Sequence, residues 1–177
     1  LDLRLDPTKG ISASERLKEI DPMELEGMLY ENSDEPYAHQ IAQSICAHIS
    51  KGKDISTTSD LRAIITNTLS KIPEANQEDK IKKSCQRCFQ ALRIDVNNEF
   101  EELYTFLNKL PECMAKDGKV AILTFHSGED RLVKKAFKEY YKQGLFSEIS
   151  TDAIRPSSEE CMTNPRARSA KLRTAIR

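Results

Sequence analysis

The chain has 177 residues, 38% of them hydrophobic and 31% charged, with a formal net charge of -1. That length supports one domain with a real core, or a core with a small appendage. No apolar run approaches the ~18 residues of a membrane span, and the charged start excludes a signal peptide.

The small net charge hides a gradient. Residues 1–60 carry six basic and twelve acidic side chains, residues 61–118 nine of each, and residues 119–177 twelve basic and seven acidic. A basic last third suits a surface with one side facing a polyanion. The five cysteines (46, 85, 88, 113 and 161) are odd in number and scattered, which fits a soluble protein in a reducing, cytoplasmic compartment rather than a disulfide framework.

Residues 12–110 read as mostly helical. Asp21 before Pro22, with Glu24 following, marks a helix start, and Met23, Leu25, Met28 and Leu29 supply its apolar stripe. Ala38, Ile41, Ala42, Ile45, Cys46 and Ile49 recur at the spacing of one helical face, with Gly52 as the stop. Thr57 and Asp60 form a capping box for a helix that turns Leu61, Ile64, Ile65 and Leu69 inward and ends by Pro73. A polar loop over 72–79 precedes a helix from Lys80, and Phe100, Leu103, Phe106, Leu107 and Leu110 extend a long amphipathic helix to Pro111.

Asp117-Gly118 then turns the chain into a strand over 119–125, followed by a helix over 129–142 with Leu132, Val133, Ala136, Phe137 and Tyr140 on one face. A strand is expected over 146–149, a long polar loop over 151–169, and a final strand over 170–176.

Chemistry concentrates where the strand of 120–125 empties into His126, Ser127, Gly128, Glu129, Asp130 and Arg131. Open α/β sheets bind ligands at the carboxyl ends of their strands, beside a helix N-terminus. The alternative is a helix cap, with Ser127 as N-cap and Asp130 completing a capping box. Cys85 and Cys88 offer two of the four ligands that structural zinc requires, so no metal site is expected. Hydrolase and P-loop motifs are absent from the sequence.

Four segments, in order, carry a resemblance. Thr124 to Lys135 is similar to an FHSxEDRxVK signature, Leu1 to Gly10 to LDMRMDPTxG, Phe89 to Phe100 to FQALRIxVNxEL, and Asn164 to Arg173 to NPRARSxxLR. Together they resemble the MraW or RsmH family, S-adenosylmethionine-dependent methyltransferases acting on the exocyclic N4 of a cytosine in small-subunit ribosomal RNA. The resemblance implies an α/β fold: an active-site loop segment over 1–11, a mostly helical substrate-recognition domain over 12–110, and over 111–177 a partial remnant, about three strands, of a Rossmann-like methyltransferase sheet.

It also implies site residues. His126, Ser127, Glu129, Asp130 and Arg131 would lie by the base pocket, with Asp2 and Asp6 approaching from the other side. Arg4, Arg87, Gln90, Arg93, Asn97, Arg166, Arg168 and Arg173 are the RNA-binding candidates; the alternatives are an Arg4 pair with Asp2 or Asp6 that merely fixes a loop, an inter-domain network for Arg87, Gln90, Arg93 and Asn97, and a solvated basic tail for Arg166, Arg168 and Arg173. The family's glycine-rich cofactor loop lies upstream of LDMRMD. Here no two of the six glycines lie within four residues of each other, so this chain alone is not expected to bind S-adenosylmethionine.

Two stretches depart from the family. Pro36, His39 and Gln40 stand in a stretch where basic residues are usual, and Lys83 to Ala91 replaces HPATRTFQA. The expected partners are small-subunit ribosomal RNA and a second copy joined through the incomplete sheet, with no membrane. The alternative function is a shortened, catalytically silent relative that binds RNA or protein.

Overall fold

Local capping signals set the frame of the first unit. In the computed structural model, which describes residues 1–177, the chain forms two compact units, Leu1–Glu99 and Phe100–Arg177. The division falls earlier than the boundary expected at 110, so most of the helix spanning that stretch belongs with the strands.

In the first unit a loop over 1–11 leads into α1 (Ala13–Glu19), where Ser12 and Glu15 form a capping box. Asp21 caps α2 (Pro22–Ser33) by accepting from the N–H groups of Met23 and Glu24. Next come α3 (Ala38–Ile49), α4 (Thr58–Leu69) with the expected Thr57–Asp60 box, and α5 (Glu78–Val96). α2 packs on α3 and α5, and α4 closes the group against α3 and α5. Leu17, Leu25, Leu29, Ile41, Ile45, Leu61, Ile65, Leu69 and Leu92 are fully buried in the core between them, each worth roughly 1.5–3 kcal/mol in transfer from water. Met23, expected in the α2 stripe, is instead 82% exposed. It occupies the first turn, where the Asp21 cap turns it to the solvent side.

The long helix expected up to Pro111 is two helices. α5 stops at Val96, Asn98 adopts the left-handed region at φ 49°, and α6 covers Glu99–Cys113. Asparagine tolerates that conformation better than most residues, which makes a break there inexpensive. Pro111 does not end α6 but sits inside its last turn. A proline has no N–H to give the carbonyl four residues back. That carbonyl, on Leu107, accepts instead from the Tyr140 hydroxyl at 2.9 Å.

In the second unit β1 (Lys119–Thr124) is followed by α7 (Ser127–Lys142), β2 (Glu148–Ile149) and β3 (Lys171–Ile176). β3 lies in the middle of the sheet, antiparallel to both neighbours, pairing Ile122 with Arg173 and Glu148 with Ile176. The fold is thus mixed α/β, with eight helices and a three-stranded sheet. Strand alternation turns Val120, Ile122 and Ala175 toward Leu107, Leu110, Val133, Phe137 and Phe146. Phe146 meets the rings of Phe137 and Tyr140 edge-on, at 5.6 and 5.4 Å.

The stretch over 151–169 is not the expected loop. Ser157 caps a short helix, α8 (Ser158–Thr163), and a 3-10 helix follows over Pro165–Ser169. No helix is long and apolar enough to cross a membrane.

Candidate functional site

The turn from β1 into α7 is held by its own side chains. His126, not Ser127, is the N-cap, and the capping box is completed by Glu129, not Asp130. The box expected there is therefore present one residue earlier. His126 Nδ1 accepts from the Glu129 N–H at 3.4 Å, while the Glu129 carboxylate accepts from the N–H groups of Phe125 and His126 at 2.9 and 3.3 Å. Burial pushes the Glu129 carboxyl up, but hydrogen bonds from His126 and the Phe125 N–H outweigh it and hold it below its ordinary range. His126 Nε2 is buried 3.3 Å from the Glu129 carboxylate and lies outside good hydrogen-bond geometry to it.

Gly128 matters in this turn because of what stands over it. A Cβ there would come within 2.5 Å of the tip of the Phe100 ring, and the same ring packs against His126 at 5.8 Å between centroids. Ser127 and Arg131 lie on the exposed side of the first turn of α7.

Asp130 points the other way, onto the sheet. Its carboxylate accepts from Arg173 Nε at 2.6 Å and Lys171 Nζ at 3.1 Å. Burial raises its pKa, and the two cations more than reverse that, so the carboxyl titrates below its usual value. Arg173 is only 5% exposed. Its guanidinium belongs to this pair, so the expectation that it contacts phosphate directly is corrected. Arg166 and Arg168, on the 3-10 helix, are exposed and make no ion pair or hydrogen bond through their side chains.

In the first unit the opening loop is also tied to itself. Arg4 forms a two-point pair with Asp2, Nε to Oδ1 at 2.6 Å and a second nitrogen to Oδ2 at 2.9 Å, and reaches the Gly10 carbonyl at 3.0 Å. Those Arg4 hydrogen bonds pull the Asp2 carboxyl down to about 2. Asp6 caps a tight turn by accepting from the N–H and hydroxyl of Thr8 at 3.0 and 2.6 Å, which lowers its pKa.

Leu3 is held at φ 68°, a strained conformation for a leucine. Asn97 at the end of α5 fastens that strained stretch. Its Oδ1 accepts from the Leu5 N–H at 2.7 Å, and its Nδ2 donates to the carbonyls of Leu3 and Arg93 at 2.9 and 2.7 Å. Leu5 itself is 79% exposed.

The remaining α5 candidates are likewise committed within the unit. Gln90 donates to the Asn32 carbonyl at 3.3 Å, and Arg93 pairs with Glu99 at 2.8 Å. Arg87 stands 3.9 Å from the buried Glu35, whose other oxygen accepts from Ser84 at 2.9 Å. With Asn97, each of these side chains has its partner inside the first unit, on Asn32, Glu99, Glu35 and Leu3 in turn.

Residues not named as site candidates from the sequence, although three of them lie in the signature segments, are Phe100, Phe125, Arg155, Glu160 and Asn164. The last four border a concavity of about 340 Å³ on the sheet face opposite α7, together with Leu123, Ile154 and Leu172. An exposed aromatic directly after an apolar strand was the available signal.

Known proteins agree with the sequence motifs. The pattern describing the MraW methylase family matches residues 1–177. The chain is 63% identical over 177 residues to "Ribosomal RNA small subunit methyltransferase H 1" of Lachnoclostridium phytofermentans, covering all of this chain and 48% of that relative. It is 61% identical to "Ribosomal RNA small subunit methyltransferase H 2" of Alkaliphilus metalliredigens (51% of that relative) and 35% identical to "Ribosomal RNA small subunit methyltransferase H" of Pseudothermotoga lettingae (58%). The chain spans about half the length of the curated relatives it matches.

Proposed function

The chain belongs to the MraW methylase family, and on that footing we propose that it is part of an enzyme that methylates small-subunit ribosomal RNA in the cytoplasm. Its reaction is methyl transfer from S-adenosylmethionine to the exocyclic N4 of a cytosine. The observation that carries this reading is the 63% identity to a ribosomal RNA methyltransferase across the whole chain.

The amine to be methylated is a poor nucleophile because its lone pair is delocalised into the ring. It needs a hydrogen-bond acceptor and a fixed approach to the methyl group. His126, Ser127, Glu129 and Arg131 border that base in this reading, and Asp2 and Asp6, on the opening loop of the first unit, are the further acidic candidates. Asp130 supports the loop from behind through Arg173. The first unit, 1–99, supplies the helical recognition domain.

Within this chain the turn from β1 into α7 does not fit the cofactor. The helix N-terminus behind β1 is filled, since the Glu129 carboxylate takes the Phe125 and His126 donors and Phe100 covers Gly128. The open edges of β1 and β2 offer a surface for a second copy or for further sheet.

One observation favours a second reading, a catalytically silent module that binds RNA or protein: the carboxylates of Asp2, Asp6, Glu129 and Asp130 are all engaged inside their own units.

The test is RNA binding. Arg166→Ala and Arg168→Ala should each weaken binding to a small-subunit RNA fragment and reduce the slope of log affinity against log salt by roughly one counterion. In a full-length protein, Arg131→Ala should lower methyl transfer more than RNA affinity. Unchanged salt slopes and turnover in all three variants would refute the reading.

A further inference from the structure

One face of α2 carries large apolar side chains that nothing in the chain covers. Met23 and Tyr30 stand seven residues apart, two helical turns along the same side, and are 82% and 64% exposed. Gly27 lies between them. A glycine inside a helix weakens it relative to alanine, and here the fold does not require one, because a Cβ at position 27 would meet no atom within 4 Å. The bare backbone is a shallow seat open to the outside, with an apolar side chain at each end.

The flanks of that stripe are acidic. By helical spacing Glu26 borders it on one side, and Glu24 and Glu31 on the other. Glu24 pairs with Arg16 and Glu26 with His39, while Glu31 makes no hydrogen bond or ion pair through its side chain. No lysine or arginine offsets them nearby: residues 19–50 hold seven Asp and Glu and no Lys or Arg.

Resting on the RNA reading above, we propose that this face of α2 docks a lysine- and arginine-rich segment of a protein bound to the same RNA. Three features select that occupant. The acidic flanks repel a phosphate backbone, so the face does not suit RNA itself. The stems of Lys and Arg are apolar and lie along apolar surface while their heads reach charge, which matches Met23 and Tyr30 set between carboxylates. A guanidinium also stacks on a tyrosine ring and pairs with a carboxylate beside it, as Tyr30 and Glu31 allow.

The experiment measures binding of the 177-residue chain to two probes, intact small ribosomal subunits and protein-free small-subunit RNA. Glu26→Lys with Glu31→Lys should weaken binding to the subunit roughly tenfold and leave binding to the bare RNA no weaker. Met23→Gln with Tyr30→Gln should weaken subunit binding roughly fivefold or more, again without effect on the bare RNA. Gly27→Leu separates docking from folding. It should raise the urea midpoint, since leucine is the better helix former, and still weaken subunit binding, because it fills the seat. The photoreactive residue p-benzoylphenylalanine in place of Tyr30 should crosslink to a subunit protein, so that protease and not ribonuclease removes the adduct.

Subunit binding at the parent's level in any of the three variants overturns the proposal, as does a crosslink to RNA or to no protein. Self-association of the parent that is lost in the Glu26→Lys, Glu31→Lys chain would assign the face to a second copy and overturn it too. In each case salt-dependent binding of the bare RNA leaves the RNA reading standing. A chain that binds neither probe refutes both.

Discussion

Asp130→Ala is expected to destabilise the second unit by about 3–5 kcal/mol, read as a lower urea midpoint at unchanged slope. The cost does not come from the attraction lost, which burial largely cancels. It comes from leaving the Arg173 guanidinium, 5% exposed, without a counter-charge against the α7 side of the sheet. Removing both members, Asp130→Ala with Arg173→Leu, should recover a large share of the loss, since an apolar pair of similar volume often replaces a buried ion pair without penalty.

Acid should act in the same direction as the single substitution. The Asp130 carboxyl is held below its ordinary value of 3.8, so its stabilising effect is fully present above that value and is lost as the pH falls through the depressed one. The Asp130→Ala protein should therefore show a shallower acid limb than its parent. A parent-like midpoint and acid limb would show that the pair contributes nothing.

Asn97→Ala is expected to free the opening loop. Three hydrogen bonds disappear together, to the Leu5 N–H and to the carbonyls of Leu3 and Arg93, and the strained Leu3 turn loses its restraint. At about 1 kcal/mol for each bond, local opening becomes easier by about 2–3 kcal/mol. The Leu5 amide should exchange with solvent roughly 30- to 150-fold faster. Asn97→Asp keeps the acceptor for Leu5 and should fall between the two. Leu5 exchange that stays slow in the alanine variant would mean that the Arg4 pair with Asp2 alone holds the loop.

The helices of the first unit were legible because their signals are local. Asp21 before Pro22 and the Thr57–Asp60 box each announce a start within four residues, and the apolar spacing of 38–49 needs no partner to be recognised. The cap of α7 was misplaced by one residue for an equally local reason. Histidine is not among the usual N-caps, whereas its neighbour Ser127 is.

What no window of sequence could supply was the partner of Asp130, which lies on β3, far along the chain. One clue was available. Strand alternation places Arg173 on the same face as Ala175, and so toward the core and not toward RNA. α8 was also announced, by Ser157 three residues before Glu160. A polar composition concealed it, because so short a helix buries nothing that shows in the apolar pattern.

The bond between the Tyr140 hydroxyl and the Leu107 carbonyl couples two positions that never exchange a contact in the helical ladder. Proline at 111 leaves a carbonyl vacant, and tyrosine at 140 fills it. Lineages of this chain are therefore not free to change the two positions in either order. Losing the hydroxyl first strands a carbonyl against α7, whereas replacing Pro111 first restores the backbone donor and makes the later loss of the hydroxyl nearly neutral. The tolerated route from Pro-Tyr to an ordinary pair runs through position 111, and a Tyr140→Phe protein should be rescued by Pro111→Ala.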